Sequence, residues 1–393
     1  MIDYATKTYG RNREVEAIYK MFDNDRDVAM PGPRRLGKTF VLERIVDCGA
    51  ANGWHAVKVE IAGCTDVRSV FRRLCEMIGR RHTGGAMASS WLLQRLGQIG
   101  APRSDPSGPW YQPMLNLDYE TWFERLIRAM NDDTSRRWAL LIDELPIFLK
   151  ALHDRGPDGV AQALSFMNQM SRLRDDNKRV RWLITGSIGI EPLARAGNYL
   201  GVLAKFDTFE LAPLGELEAR DYVQDLATLG RLTGRSTITD AEADAIVSAV
   251  GWRAAYYLDA LSQKMAGQPS NDPAEVARLV EQAVDRLLQP GQTASFGTWE
   301  EHIRKHYRDP DRGFAFAALA ALAPHPQGRS VDTVLTTIGR ADLTREQLRA
   351  VLTRLHTEGF VTVQGWEGTD PTGAFRNPLL RRWWQRYTPQ ANG

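Results

Sequence analysis

The sequence predicts an α/β fold with a mostly parallel sheet, followed by a helical region and a C-terminal helix-turn-helix with a wing. Three observations predict it. A short apolar run at 27–30 leads through a glycine-bearing turn into an amphipathic helix. Further apolar, strand-like runs recur at 55–61, 138–142 and 180–184, with helical spacing between them. From 218 to 288 the apolar residues fall at helical spacing alone.

The turn after the first strand is the most specific stretch. Gly32-Pro33-Arg34-Arg35-Leu36-Gly37-Lys38-Thr39 matches, at every fixed position, the phosphate-binding pattern of Gly, four residues, Gly, Lys and Ser/Thr. Chance would place such a pattern in roughly one chain in a hundred of this length. Its setting between strand Asp27–Met30 and helix Phe40–Val46 is the order a P-loop NTPase requires. The loop turns backbone N–H groups inward around an anion, so a Cβ at Gly37 would obstruct the approach. Lys38 is placed to meet the β and γ phosphates. Thr39 opens a helix whose N-terminal dipole favours negative charge, and its hydroxyl can ligate Mg²⁺. Phe40 completes the candidate nucleotide-binding stretch.

With 393 residues, 43% of them hydrophobic and 25% charged, the chain is long enough for two or three globular domains. A formal net charge of +2 argues neither for nor against nucleic acid. Cys48, Cys64 and Cys75 show no CxxC spacing, which suits reduced thiols and a cytoplasmic protein. No stretch approaches the ~20 apolar residues needed to span a bilayer, and no signal-peptide pattern opens the sequence.

In chain order, Tyr9-Gly10-Arg11-Asn12 precedes a helix with Val15, Ile18, Tyr19 and Phe22 on one face. Residues 55–61 alternate as a strand, and 67–78 have the spacing of a packed helix. From 81 to 117 the pattern dissolves into Gly, Pro and Ser around a short helix-like piece at 91–96. This is an insertion whose plainest reading is an exposed one, with a lid, a partner-binding insertion or a mobile loop as the other readings. A helix at 119–130 leads to Trp138-Ala139-Leu140-Leu141-Ile142-Asp143-Glu144, a buried strand ending in two acids where open α/β sheets place their ligands. Asp143 is the expected Mg²⁺-holding acid, and Glu144 the candidate to orient and deprotonate the attacking water.

After a helix at 160–173, the strand 180–184 ends in Thr185-Gly186-Ser187, hydroxyl residues that read either as polar site groups or as a cap of the next helix. A last strand is expected at 206–211. Helices follow at 218–229, 240–250, 254–265 and 273–288, forming a helical lid over 213–310 after a core of 1–212. The remainder, 311–393, reads as helices at 314–322, 331–338 and 344–357, a strand at 360–363 and a wing at 366–373, that is, a winged helix-turn-helix. Residues 328–393 hold nine arginines against six acids, a net of +3. Arg345, Arg349 and Arg354 lie on the would-be recognition helix, where they can meet DNA phosphates or form an ordinary solvated face.

Together, Gly10-Arg11, Gly32–Thr39, Leu140–Glu144, Ile184–Ser187, the stretch Gly251-Trp252-Arg253-Ala254-Ala255-Tyr256-Tyr257-Leu258 and the ending Phe375–Trp383 resemble the prokaryotic STAND/AAA+ ATPases of the archaeal-ATPase family. The resemblance implies an AAA+-like P-loop core binding ATP and Mg²⁺, clamped by the lid, with the winged helix reporting nucleotide state. It implies that Gly10 and Arg11 pack near the adenine, that Ser187 or Thr185 senses the γ-phosphate, and that Arg253 contacts it. Ala255 stands where such proteins typically carry Pro. For the arginine finger the resemblance leaves Lys205, Arg195 and Arg35 open; if none is supplied in trans, hydrolysis is expected to be slow.

Three functions compete. The first is an ATP-driven switch coupled to a homo-oligomer or a separate effector protein. The second is a DNA-binding ATPase of a mobile-element, replication or defence system acting through the winged helix. The third is a non-enzymatic scaffold.

Overall fold

The computed structural model describes residues 3–82, 118–232, 235–291 and 294–387. The expected insertion, with its short helix at 91–96, lies from residue 83 onward outside the described residues. The chain divides into two compact units: Arg13–Gly32 with Lys38–Leu211, and Met1–Asn12 with Pro33–Gly37 and Ala212–Gly393.

In the first unit, β1 (Val28–Pro31), β2 (Trp54–Glu60), β3 (Arg137–Asp143), β4 (Val180–Gly186) and β5 (Asp207–Thr208) form a parallel sheet in the order β2-β3-β4-β1-β5. All of β4 is buried, as is all of β3 beyond Arg137. Strands covered on both faces read as continuous apolar runs, which is why these two are conspicuous in the sequence. The register pairs Pro31 with Gly186 and Glu60 with Asp143, so the C-terminal ends of β1, β3 and β4 share one edge of the sheet.

The helices of this unit are α1 (Asn12–Asp23), α2 (Lys38–Cys48), α3 (Val67–His82), α4 (Tyr119–Asp132), α5 (Leu145–His153), α6 (Pro157–Asp176), α7 (Ile190–Ala196) and α8 (Leu200–Leu203). Aromatic side chains fill the core: the Phe71 ring lies 5.5 Å from Phe123 and 5.8 Å from Phe166, which in turn is 5.4 Å from Phe148. Helices α5, α7 and α8 do not follow from the periodicity. The strand expected at 206–211 is shorter: β5 covers Asp207–Thr208, where Asp207 N–H bonds Asp27 O and Phe209 N–H bonds Ala29 O, both at 2.8 Å.

The second unit is mostly helical: α9 (Glu216–Thr228), α10 (Asp240–Val250), α11 (Ala255–Ser262), α12 (Pro273–Leu287), α13 (Ala294–His306), α14 (Asp311–Leu322), α15 (Val331–Ile338), α16 (Arg345–Thr357) and α17 (Pro378–Tyr387). Its strands β6 (Arg329–Ser330), β7 (Val361–Gln364) and β8 (Thr372–Phe375) make an antiparallel sheet in the order β6-β8-β7. Local chemistry sets the helix starts: Thr239 with Glu242 and Thr344 with Gln347 form reciprocal capping boxes, and Asp272 caps α12 ahead of Pro273. One aromatic core spans residues on both sides of 310. Tyr257 stacks on Phe296 at 5.7 Å, and Trp299 meets Phe360 edge-on at 4.7 Å. Among the described residues no helix is long and apolar enough to cross a membrane, and all three cysteines are free.

Candidate functional site

The loop Gly32–Thr39 leaves the sheet at the end of β1, and α2 begins at Lys38, one residue earlier than expected. Within the first unit, buried Lys38 folds back to donate from Nζ to the Gly32 carbonyl at 2.7 Å. A lysine ammonium is thereby held across the mouth of the loop.

From α2, Thr39 Oγ1 donates to Asp143 Oδ2 at 2.9 Å. From the end of β4, Thr185 Oγ1 donates to Asp143 Oδ1. The same Thr185 hydroxyl accepts from the backbone N–H of Glu144 at 3.4 Å. Asp143 and Thr185 are buried, so each hydrogen bond compensates a desolvated oxygen. Three elements, α2, β3 and β4, are joined through one carboxylate.

Glu144 adopts a left-handed backbone, φ +62°, costing a side-chain-bearing residue about 1 kcal/mol. This turn ends β3 and lets α5 start at the next residue, with Pro146 in its first turn. The Glu144 carboxylate then lies beside the residue after β4, where Ser187 N–H and Oγ both donate to Oε2. Neither hydroxyl residue caps a helix. The cap position of α7 is Gly189, without a side-chain bond, so Thr185 and Ser187 are tied to the two acids instead.

The inner loop residues, Pro33–Gly37, group with the second unit. Gly37 has φ +98°, and a Cβ built there would meet no protein atom within 4 Å. Conformation, rather than crowding by the protein, demands glycine, and that side of the loop stays clear for a ligand. Arg11 Nη2 donates to Leu36 O at 3.3 Å. Gly10 has its own structural reason: a Cβ would come 2.0 Å from Tyr4 O. Arg34 Nη1 reaches Thr298 O at 3.4 Å. Arg35, at φ +68°, donates to Ser295 O and, at 2.6 Å, to Thr298 Oγ1, and lies 4.0 Å above the Tyr256 ring. Arg253 Nε donates to Leu214 O at 2.8 Å, and Leu214 N–H returns a bond to Arg253 O.

The three arginine-finger candidates all have partners. Lys205 bonds Asp175 and Ser171, Arg195 pairs with Glu191, and Arg35 is engaged as above. Of the expected residues, Lys38, Thr39, Asp143, Glu144 and Ser187 gather with Gly32 in one unit. Phe40 follows in α2 and is half-buried. Of the partners of Arg35, Tyr256 lies in the singled-out stretch 251–258, whereas Ser295 and Thr298 carry no sequence signal that would have found them.

A parallel sheet in this strand order, with the glycine loop after β1 and paired acids at the end of β3, is the AAA+-like P-loop NTPase fold. The chain is similar in structure to the Walker-type ATPase PABY2304 of Pyrococcus abyssi, with a TM-score of 0.62 and 13% identity over 95% of each chain. It is also similar to the ORC2 protein of Aeropyrum pernix, described in ADPNP-ADP complexes, with a TM-score of 0.52 and 15% identity over 96% of this chain and 92% of that one. No protein-family model matches the sequence, and no curated protein matches it.

Proposed function

We propose that this protein binds ATP with Mg²⁺, hydrolyses it, and acts as a STAND/AAA+-type switch whose nucleotide state is read by a second copy or a separate effector protein. The observation that carries this reading is the bonded set Thr39, Asp143 and Thr185 beside Glu144 and Ser187, on the sheet edge where the loop and Lys38 begin.

The donor chemistry fits Mg²⁺. A hydroxyl and a carboxylate oxygen 2.9 Å apart are hard oxygen ligands, and this cation takes one or two protein groups and completes its shell with water and phosphate. Among the described residues no cluster of three His, Cys, Asp or Glu could hold a metal by itself. Thr39 and Asp143 would hold the ion, which would supply positive charge against that developing on the transferred phosphoryl group. Lys38 exchanges the Gly32 carbonyl for phosphate oxygens. Glu144 orients a water and takes its proton, while Ser187 fixes the carboxylate. Arg253 stands as a contact to the terminal phosphate in this reading, with Gly10 and Arg11 on the adenine side.

In the C-terminal part, the order α14, β6, α15, α16, β7, loop, β8 supports a winged helix-turn-helix. Its arginines disfavour a DNA role. Arg345 pairs with Asp332 and Asp370, Arg349 donates to Trp366 O, and Arg354 is bonded to Glu358 and His306 O. The loop between β7 and β8 carries Glu367 and Asp370 and no basic residue. A packing and regulatory role follows.

The test is binding of a fluorescent ATP analogue together with phosphate release, with and without Mg²⁺, for wild type and Lys38→Ala. Light scattering in ADP and in a non-hydrolysable analogue reads the switch. We expect Mg²⁺-dependent turnover, lost in the variant along with most of the affinity. Equal binding by both proteins, or no turnover under any condition, would overturn the enzymatic reading.

A further inference from the structure

The phosphate loop is expected to be a feature of the α/β unit, yet four of its inner residues find partners elsewhere. Pro33 is buried, and a Cβ on Gly359 would come 2.3 Å from its Cβ. Arg34 reaches Thr298 O, Leu36 O accepts from Arg11, and Arg35 is held most firmly of all.

The Arg35 guanidinium uses both terminal nitrogens on α13, at Ser295 O and Thr298 Oγ1, and lays its face on Tyr256 of α11. Tyr256 Oη donates in turn to Ser295 Oγ at 3.0 Å, tying the two helices together beneath the arginine. Tyr257, whose hydroxyl is pushed up to about 12 by burial against the pull of the Arg35 charge, lies 5.8 Å from the guanidinium and packs on Phe296. The planar fork satisfies two acceptors and an aromatic face at once, a geometry a lysine cannot copy. Its backbone is left-handed, a conformation that such a residue keeps only when surrounding contacts hold it.

We propose that Arg35 is a positioning residue: its anchorage on Tyr256 and Thr298 sets the backbone of the phosphate loop, so that nucleotide in the loop and the packing of α11 against α13 are thermodynamically coupled. This rests on the reading that the loop binds ATP. Arg35 needs no contact with the nucleotide. It acts through the N–H groups of the loop, which continues covalently into Lys38, and through Pro33 the same anchorage reaches the turn after α16 at Gly359. Coupling is reciprocal: if breaking the anchor weakens nucleotide binding, nucleotide must stabilise the anchor by the same factor.

The experiment combines equilibrium binding of a non-hydrolysable ATP analogue with amide hydrogen exchange, on the full chain, for wild type, Thr298→Val, Tyr256→Ala, Arg35→Ala and Arg35→Lys. Thr298→Val removes one hydroxyl at nearly constant volume, so it keeps the test valid even if Arg35→Ala folds poorly. We expect about tenfold weaker binding in Arg35→Ala, without rescue by Arg35→Lys, and about three- to tenfold weaker binding in Thr298→Val and Tyr256→Ala. In wild type the analogue should slow exchange across 255–262 and 295–306. In Thr298→Val at saturating analogue, that slowing should be reduced, which a merely structural role for Thr298 would not produce. Wild-type binding with both lid variants within twofold, or with no nucleotide effect on exchange in α11 and α13, overturns the proposal. If wild type binds no analogue, it is the nucleotide-binding reading beneath the proposal that fails.

Discussion

Ser187 holds the Glu144 carboxylate with two donors, its backbone N–H at 2.9 Å and its hydroxyl at 2.8 Å, both on the same oxygen, Oε2. The acid that follows β3 is thus oriented from the end of β4, and in the proposed reaction Oε1 is the oxygen that meets a water. Glu144→Gln can still accept both bonds but cannot take a proton. We expect it to bind ATP within about threefold of wild type and to release phosphate at least ~10²-fold more slowly. Ser187→Ala keeps the backbone donor and loses one hydrogen bond, which corresponds to about a tenfold fall in kcat with KM little changed. Steady-state phosphate release decides both, and an unchanged Glu144→Gln rate would remove Glu144 from the chemistry.

The Thr39 and Thr185 hydroxyls converge on the two oxygens of Asp143. Only Thr39 is also a candidate Mg²⁺ ligand. Thr39→Ala should therefore raise the Mg²⁺ concentration giving half-maximal turnover about tenfold, while nucleotide binding in excess chelator stays as in wild type. Thr185→Val, which removes the hydroxyl bond to a buried carboxylate, should act mainly on stability, by about 1–3 kcal/mol. A Mg²⁺ titration of turnover and a urea melt separate the two effects; identical Mg²⁺ curves for wild type and Thr39→Ala would exclude Thr39 as a ligand.

What was legible in the sequence follows from burial. Residues 138–142 and 180–184 sit in strands covered on both faces, so nothing but apolar side chains fits there, and the acids and hydroxyls that end them stand out. Helix α5 was hidden for the same reason. Leu145-Pro146-Ile147-Phe148-Leu149 is a wholly apolar run directly after the two acids, with no polar face to mark a helical period, and only the left-handed Glu144 separates strand from helix. Helices α7 and α8 are too short to show periodicity. The anchors of Arg35 lie more than 200 residues away in sequence, and no local pattern pairs an arginine with a distant carbonyl, hydroxyl and ring. The arginines of α16 look like a phosphate-binding row in sequence. Their acidic and carbonyl partners become visible only once β8 and α13 are in place.

Arg354 illustrates the difference. Its guanidinium lies 3.6 Å above the Tyr307 ring, donates to His306 O at 2.7 Å and pairs with Glu358 at 3.1 Å. Arg354→Ala should cost the second unit about 2–3 kcal/mol through the lost charge-assisted bonds and cation–π contact. Arg349→Ala, losing one bond to Trp366 O, should cost under about 1 kcal/mol. Neither should change binding to duplex DNA, and wild type should show no steep salt dependence. Salt-sensitive duplex binding that Arg349→Ala weakens without unfolding would reverse the regulatory assignment of this module.

The partner of Arg354, Glu358, is 2% exposed and accepts from buried His302 at 2.9 Å, joining α13 to the end of α16. Burial pushes its carboxyl up, but the His302 hydrogen bond and charge and the Arg354 guanidinium outweigh burial and hold it below the ordinary glutamate value. His306 and Tyr307 complete the surroundings; the Tyr307 hydroxyl is pushed up by its own burial and by the Glu358 charge. A carboxylate with a depressed folded-state pKa contributes stability that is present above its unfolded value, near 4.3, and is lost as pH falls through the folded value. The second unit should therefore lose stability progressively below about pH 4.5. Glu358→Gln should destabilise it at pH 7 by about 3 kcal/mol, because the hydrogen bonds from buried His302 and half-buried Arg354 lose their carboxylate acceptor. The acid limb should flatten in the same variant, since the group that titrates is gone. Denaturant melts from pH 3.5 to 7.5, followed by tryptophan fluorescence, read both effects. An acid limb as steep in Glu358→Gln as in wild type would place the acid sensitivity elsewhere in the unit.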